Sequence, residues 1–79
     1  MSSMSNDMNR FGEKLKKLRE QKGLTLKEMA DRLDLKAHGY ISELENGKKY
    51  PTVFLVLKLS RMFGVATDAL MKDELDIKD

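Results

Sequence analysis

Seventy-nine residues build a single domain with a small core, and a domain of that size leans on a disulfide, a metal or a second copy for stability. The chain has no cysteine, which excludes the disulfide and fits a reducing, cytoplasmic setting, and its one histidine, His38, lacks companions for a metal site, so no cofactor is expected. The net charge of +2 conceals a basic body, with 13 Lys and Arg against 7 Asp and Glu over residues 10–61, and an acidic end, with 2 against 5 over residues 62–79.

Residues 1–8, MSSMSNDM, are small and polar apart from the methionines and read as a flexible arm. No apolar h-region follows Met1, so no secretory signal is expected. The folded domain is expected over residues 9–72. Its first helix runs from about Asn9 to Lys22, with Phe11, Leu15 and Leu18 on one face and Gly23 as the stop. The second opens with a capping box, Thr25 at the N-cap and Glu28 three residues on. Leu24 before the cap can staple onto Met29, and Met29, Ala30 and Leu33 form the buried face. Asp34 stands where the chain needs left-handed backbone, which Asp tolerates better than most residues, and Leu35 anchors the turn in the core.

The third helix is expected over about His38–Glu45, ended by Asn46-Gly47. Ile41 and Leu44 are its only inward anchors, which leaves a wide polar face. A basic loop, Lys48-Lys49-Tyr50-Pro51, leads to Thr52, which caps a fourth helix over about Val53–Phe63. At about 100° per residue, Val53, Val56, Leu59, Ser60 and Phe63 share its core face. Phe54, Leu55 and Met62 are then a surplus apolar set, expected to form a dimer interface rather than a slightly wider core. Val53 to Leu57 is also the longest apolar run, far short of the roughly 20 residues of a membrane span. Gly64 ends this helix, a short fifth helix follows near Thr67–Lys72 with Leu70 and Met71 inward, and Leu75 and Ile77 in the acidic tail, residues 73–79, either extend it or hang free.

The segments LRxxKGLT (from Leu18), TxxEMA (from Thr25), ISELENGKKYPT (from Ile41) and LKLSRMFGV (from Leu57) together resemble the Cro and phage-repressor family of helix-turn-helix domains, also called xenobiotic-response-element type. Small regulators such as restriction–modification controller proteins are similar in size. The resemblance spans roughly Phe11 to Met71. It implies an all-α, compact five-helix fold and double-stranded DNA as partner. It also implies that Arg19 and Glu45 form a structural ion pair and that Thr25, Leu26 and Lys27 lie against phosphate. Lys36, His38, Gly39, Tyr40, Ser42 and Glu43 would face the bases. Three departures stand out: Leu26 replaces a frequent glutamine, Asp34 replaces a turn glycine, and the Asp34–Tyr40 stretch is one residue longer than the common pattern.

From the residues themselves, Lys36, Lys48 and Lys49 are candidates for phosphate contacts, and a Glu43 carboxylate can accept from cytosine N4 or repel the backbone. Each of these positions can also be an ordinary solvated helix residue. The expected function is a sequence-specific transcriptional regulator, a repressor in type. It would bind a palindromic operator as a homodimer through the third helix, in the cytoplasm at the nucleoid. Two half-sites about 34 Å apart require such a dimer. The alternative is a protein-interaction module, antitoxin-like or a co-regulator subunit, on the same fold. No enzyme activity, small-molecule substrate or membrane partner is expected, since the chain offers no phosphate loop and no acid–base pair in a recognisable setting.

Overall fold

The computed structural model describes residues 8–77 and contains five helices and no strand among them. In chain order these are α1 Phe11–Gln21, α2 Leu26–Arg32, α3 His38–Glu45, α4 Val53–Phe63 and α5 Thr67–Met71. Local chemistry sets most of the boundaries. The Thr25 hydroxyl accepts from the Glu28 N–H at 3.0 Å while the Glu28 carboxylate accepts from the Thr25 N–H at 2.8 Å. Those bonds, the backbone one first, hold the Glu28 carboxyl below the usual carboxylate range. The Thr52 hydroxyl caps α4 in the same way, accepting from the Leu55 N–H at 3.1 Å.

The helix ends follow one pattern. After α2 the left-handed residue is Asp34, at φ 59°, and Leu35 donates back to the Ala30 carbonyl at 2.8 Å. After α3 it is Gly47, at φ 76°, with Lys48 donating back to the Glu43 carbonyl at 2.9 Å. Five residues, Leu33–Ala37, therefore separate α2 from α3, and α3 begins at His38.

The core gathers Phe11, Leu15 and Leu18 of α1, Met29 and Ala30 of α2 with Leu33 just past its end, and Ile41 and Leu44 of α3. Leu55, Val56 and Leu59 join it from α4 and Leu70 from α5, with Ile77 beyond the last helix. Helix α1 packs on α3 and α5, and α2 packs on α3. Gly12 makes the α1–α3 crossing possible. A Cβ there would lie 2.5 Å from the Glu45 carbonyl oxygen and 2.6 Å from that of Leu44.

Two expectations need correction. The core face of α4 is turned: Leu55 is 6 % exposed and belongs to the core, while Val53, expected inside, is 81 % exposed. The helix is apolar on both flanks, and its position against α5 decides which flank is buried. The second concerns the termini. Ile77 is 3 % exposed in the core rather than hanging free. The Met8 N–H donates to the Met71 carbonyl at 3.1 Å, so Met8 belongs to the folded body rather than to an arm. The rest of that expected arm, residues 1–7, lies outside the described residues, as do residues 78–79.

Candidate nucleic-acid interface

Helix α3 buries two residues, Ile41 and Leu44, on one stripe. The stripe faces α1 and α2, which hold the helix from behind. The other side carries His38 and Gly39, both exposed, and Tyr40, Ser42 and Glu43, each half-buried. Lys36 is exposed in the preceding turn. Ala37 offers no side-chain oxygen to the first turn of α3, so no side-chain cap occupies that end.

The basic loop does not run away from α3. The turn at Gly47 sends the chain back alongside the helix. Lys49 Nζ comes 3.3 Å from Glu43 Oε1 and 5.8 Å from the centroid of the Tyr40 ring. Three of the expected contact residues, Tyr40, Glu43 and Lys49, thus form one cluster. Tyr40 also packs against the core, which makes it less free than a surface helix residue. Lys48, next to Lys49 in the chain, is exposed, and Thr25 and Lys27 at the start of α2 are exposed as well. Leu26, at the position where a glutamine is frequent in the resembled family, packs partly against the core.

The pair that fixes α3 to α1 is Arg19 with Glu45. Arg19 Nε donates to Glu45 Oε2 at 2.7 Å and Nη2 to Oε1 at 3.2 Å, a bidentate contact. Arg19 Nη1 also donates to the Leu24 carbonyl at 2.9 Å, which ties the end of α1 to the entry of α2. The two side chains are 14 % and 7 % exposed.

Sequence reasoning missed a second set of polar contacts, on the far side of α1. Lys14, 2 % exposed, donates from Nζ to the carbonyls of Ala69 and Lys72, both at 2.6 Å, and closes the end of α5. Burial, and then the nearby positive charge of Arg10, pulls its pKa below the usual lysine range. Arg10 donates to the Asp73 carbonyl and to Asp76, each at 2.7 Å. The Asp73 carboxylate in turn accepts from the backbone N–H groups of Asn9 and Arg10. One signal was available: Lys14 sits between Phe11, Leu15 and Leu18, so it lies at the edge of the apolar stripe.

The start of α4 presents an apolar surface: Phe54 is 84 % exposed, with Val53 and Tyr50 near it in sequence and also exposed. Met62 is half-buried against the core. Among the described residues no group of His, Cys, Asp and Glu is placed to hold a metal ion, and no helix is long and apolar enough to cross a membrane.

Comparison with known proteins places this geometry in a family. Residues 15–70 match the family described as Helix-turn-helix. The SPbeta prophage-derived uncharacterized HTH-type transcriptional regulator YonR of Bacillus subtilis is 45% identical over 62 residues, 78% of this chain and 56% of that protein. The chain spans about half the length of several such regulators. Control protein C.MunI of a Mycoplasma species is 39% identical over 70 residues, 86% of this chain and 93% of that protein. Among solved structures, the restriction-modification controller protein C.AhdI from Aeromonas hydrophila superposes with a TM-score of 0.68 at 27% identity, covering 80% of this chain and 94% of that one. The relatives are regulators rather than enzymes, and this chain belongs to the helix-turn-helix family.

Proposed function

We propose that the domain is a sequence-specific DNA-binding transcriptional regulator of the cytoplasm and nucleoid that reads a palindromic operator as a homodimer, with α3 in the major groove. One observation carries this reading. Helix α3 fully buries only Ile41 and Leu44, with Tyr40 leaning on the core, and is locked to α1 through Glu45, which leaves a rigid, mostly polar face beside a basic loop. On that face Lys36, His38, Gly39, Tyr40, Ser42 and Glu43 meet base edges or flanking phosphates. Thr25 and Lys27 at the start of α2, with Lys48 after α3, supply the backbone contacts that set register, and Lys49 stands against Glu43 at the edge of the reading face. The names of the relatives, transcriptional regulators and controller proteins, support the same reading.

Titration with duplex DNA at two salt concentrations tests it. Affinity should fall as salt rises, with a slope of about −0.9 per neutralised phosphate. Absent affinity at low salt, in a protein that still melts cooperatively, refutes the reading and favours a protein-interaction module. The exposed Phe54 is the observation that keeps that second reading in view.

The dimer contact is placed at the start of α4, centred on Phe54 with Val53, and with Met62 at its margin. Leu55 is withdrawn from it by its burial. Phe54→Glu should shift the protein towards monomer in sedimentation and weaken operator binding; an unchanged dimer removes this surface from the proposal.

A further inference from the structure

We infer that Lys49 is the residue that admits Glu43 to the major groove, and that the two together make α3 select cytosine at one position of each half-site. The inference rests on the reading of α3 as a groove-binding helix and assigns a division of labour within it.

A glutamate on a reading helix faces a conflict. Duplex DNA carries one negative charge per about 1.7 Å of its axis, so a lone carboxylate is pushed out of the groove whatever the sequence. Once inside, however, it discriminates sharply. An ionised carboxylate only accepts hydrogen bonds. Cytosine offers the N4 amino donor, guanine offers two acceptors, thymine offers an acceptor and a methyl group, and adenine sets a donor beside an acceptor. Glu43 therefore suits cytosine, provided its general repulsion is cancelled.

The fold supplies that cancellation. The left-handed turn at Gly47 and the Lys48 N–H bond to the Glu43 carbonyl at 2.9 Å return the chain to the flank of α3. Lys49 Nζ then lies 3.3 Å from Glu43 Oε1, and the Tyr40 ring, 5.8 Å from the ammonium, gives it a second attractive surface. Both members of the pair keep access to solvent, with side chains 54% and 44% exposed, so the unit can meet a ligand without unfolding anything. Glu43 retains a second oxygen for a base edge. Lys48, which has no carboxylate partner among the described residues, is the better placed of the two lysines for phosphate.

The test uses four full-length proteins: the unaltered chain, Lys49→Met, Glu43→Gln and the double variant. Exposed pairs contribute little to folding, so all four should melt within a few degrees of one another. Selection from random duplex DNA should return cytosine at one half-site position for the unaltered chain. Glu43→Gln should move that preference to adenine, whose N6 and N7 suit a glutamine amide. Lys49→Met should weaken binding about tenfold when Glu43 is present and less than about threefold when it is Gln. An equal loss in both backgrounds, with the salt slope reduced by about one unit in each, makes Lys49 a phosphate contact and overturns the inference. An unchanged selected sequence for Glu43→Gln overturns it as well. Absent DNA affinity in the unaltered chain takes down the proposed function itself, and the inference with it.

Discussion

Helix α1 is held on two sides by two kinds of chemistry. Towards α3, the backbones approach so closely that only glycine fits at position 12, and the far end is fixed by the nearly enclosed Arg19–Glu45 pair. Towards α5 and the C-terminal segment, long cations reach across to main-chain carbonyls: Lys14 to Ala69 and Lys72, Lys17 to Ile77 and Arg10 to Asp73. The first side depends on which residues are present. The second depends mainly on cations of sufficient length meeting carbonyls that every sequence has, with the carboxylates of Asp73 and Asp76 at its edge. Their difference teaches where geometry is fixed tightly. The α3 side must hold a reading helix in one orientation, whereas the other side must only close the end of a short helix and seat Ile77.

The sharpest way to break this contrast is at Glu45. Glu45→Ala leaves Arg19 with a charge in a site that is 14 % exposed and removes both bidentate bonds. Removing one partner of an enclosed pair costs about 3 kcal/mol. For a domain of this length that corresponds to a fall in Tm of about 15 °C, measured by circular dichroism. A fall of only one or two degrees would place the pair with ordinary surface salt bridges and erase the distinction drawn between the two sides of α1.

Lys14 gives the next effect. Lys14→Met keeps most of the buried stem and removes the ammonium, leaving the carbonyls of Ala69 and Lys72 without their donor. An unsatisfied buried acceptor costs about 1–3 kcal/mol, and partial access to water places this variant near the lower end. Hydrogen exchange should show the loss first in α5, the five-residue helix that Lys14 closes, before α1 and α3 open. Uniform loss across all helices would mean that the clasp is as integral as the Glu45 side.

These two sites also mark how far the sequence could be read. The start of α2, the end of α3 and both bounds of α4 follow from local chemistry, namely Thr25 with Glu28, Asn46 with Gly47, and Thr52 with Gly64, whereas the start of α3 does not, because Ala37 offers no cap. The inward residues of α1 to α3 follow from spacing. The Arg19–Glu45 pair was legible through the family motif, because its members are tied to defined positions. Lys14 was not, because its partners are main-chain carbonyls more than fifty residues away, and no side-chain type announces them. Gly12 did leave a trace: a glycine inside a helix costs about 1 kcal/mol against alanine, so a close approach is a natural reason for it. The turn of α4 was misread because Val53 and Leu55 are equally apolar and only tertiary placement separates them. In the candidate site, the polar face of α3 could be found by elimination. The contact between Lys49 and Glu43 could not, since it depends on how the Gly47 turn folds back.

The smallest effect lies at the exposed edge of the C-terminal clasp, and there pH isolates it. Arg10, by its hydrogen bond first and its charge second, holds the Asp76 carboxyl below the usual carboxylate range. A carboxyl whose folded pKa is depressed stabilises the fold above its unfolded pKa, near 4, and loses that contribution as pH falls through the folded value. Asp76→Asn should therefore lower Tm slightly at pH 7, and the difference from the unaltered chain should shrink to nothing as the solution is acidified below about pH 4. The side chain of Asp76 is largely exposed, so added salt should also shrink the difference at neutral pH. Salt should leave much more of the Glu45→Ala deficit in place, because that pair is shielded from the solvent. Equal sensitivity of both deficits to salt would show that the two sides of α1 differ in geometry alone and not in how far they exclude water.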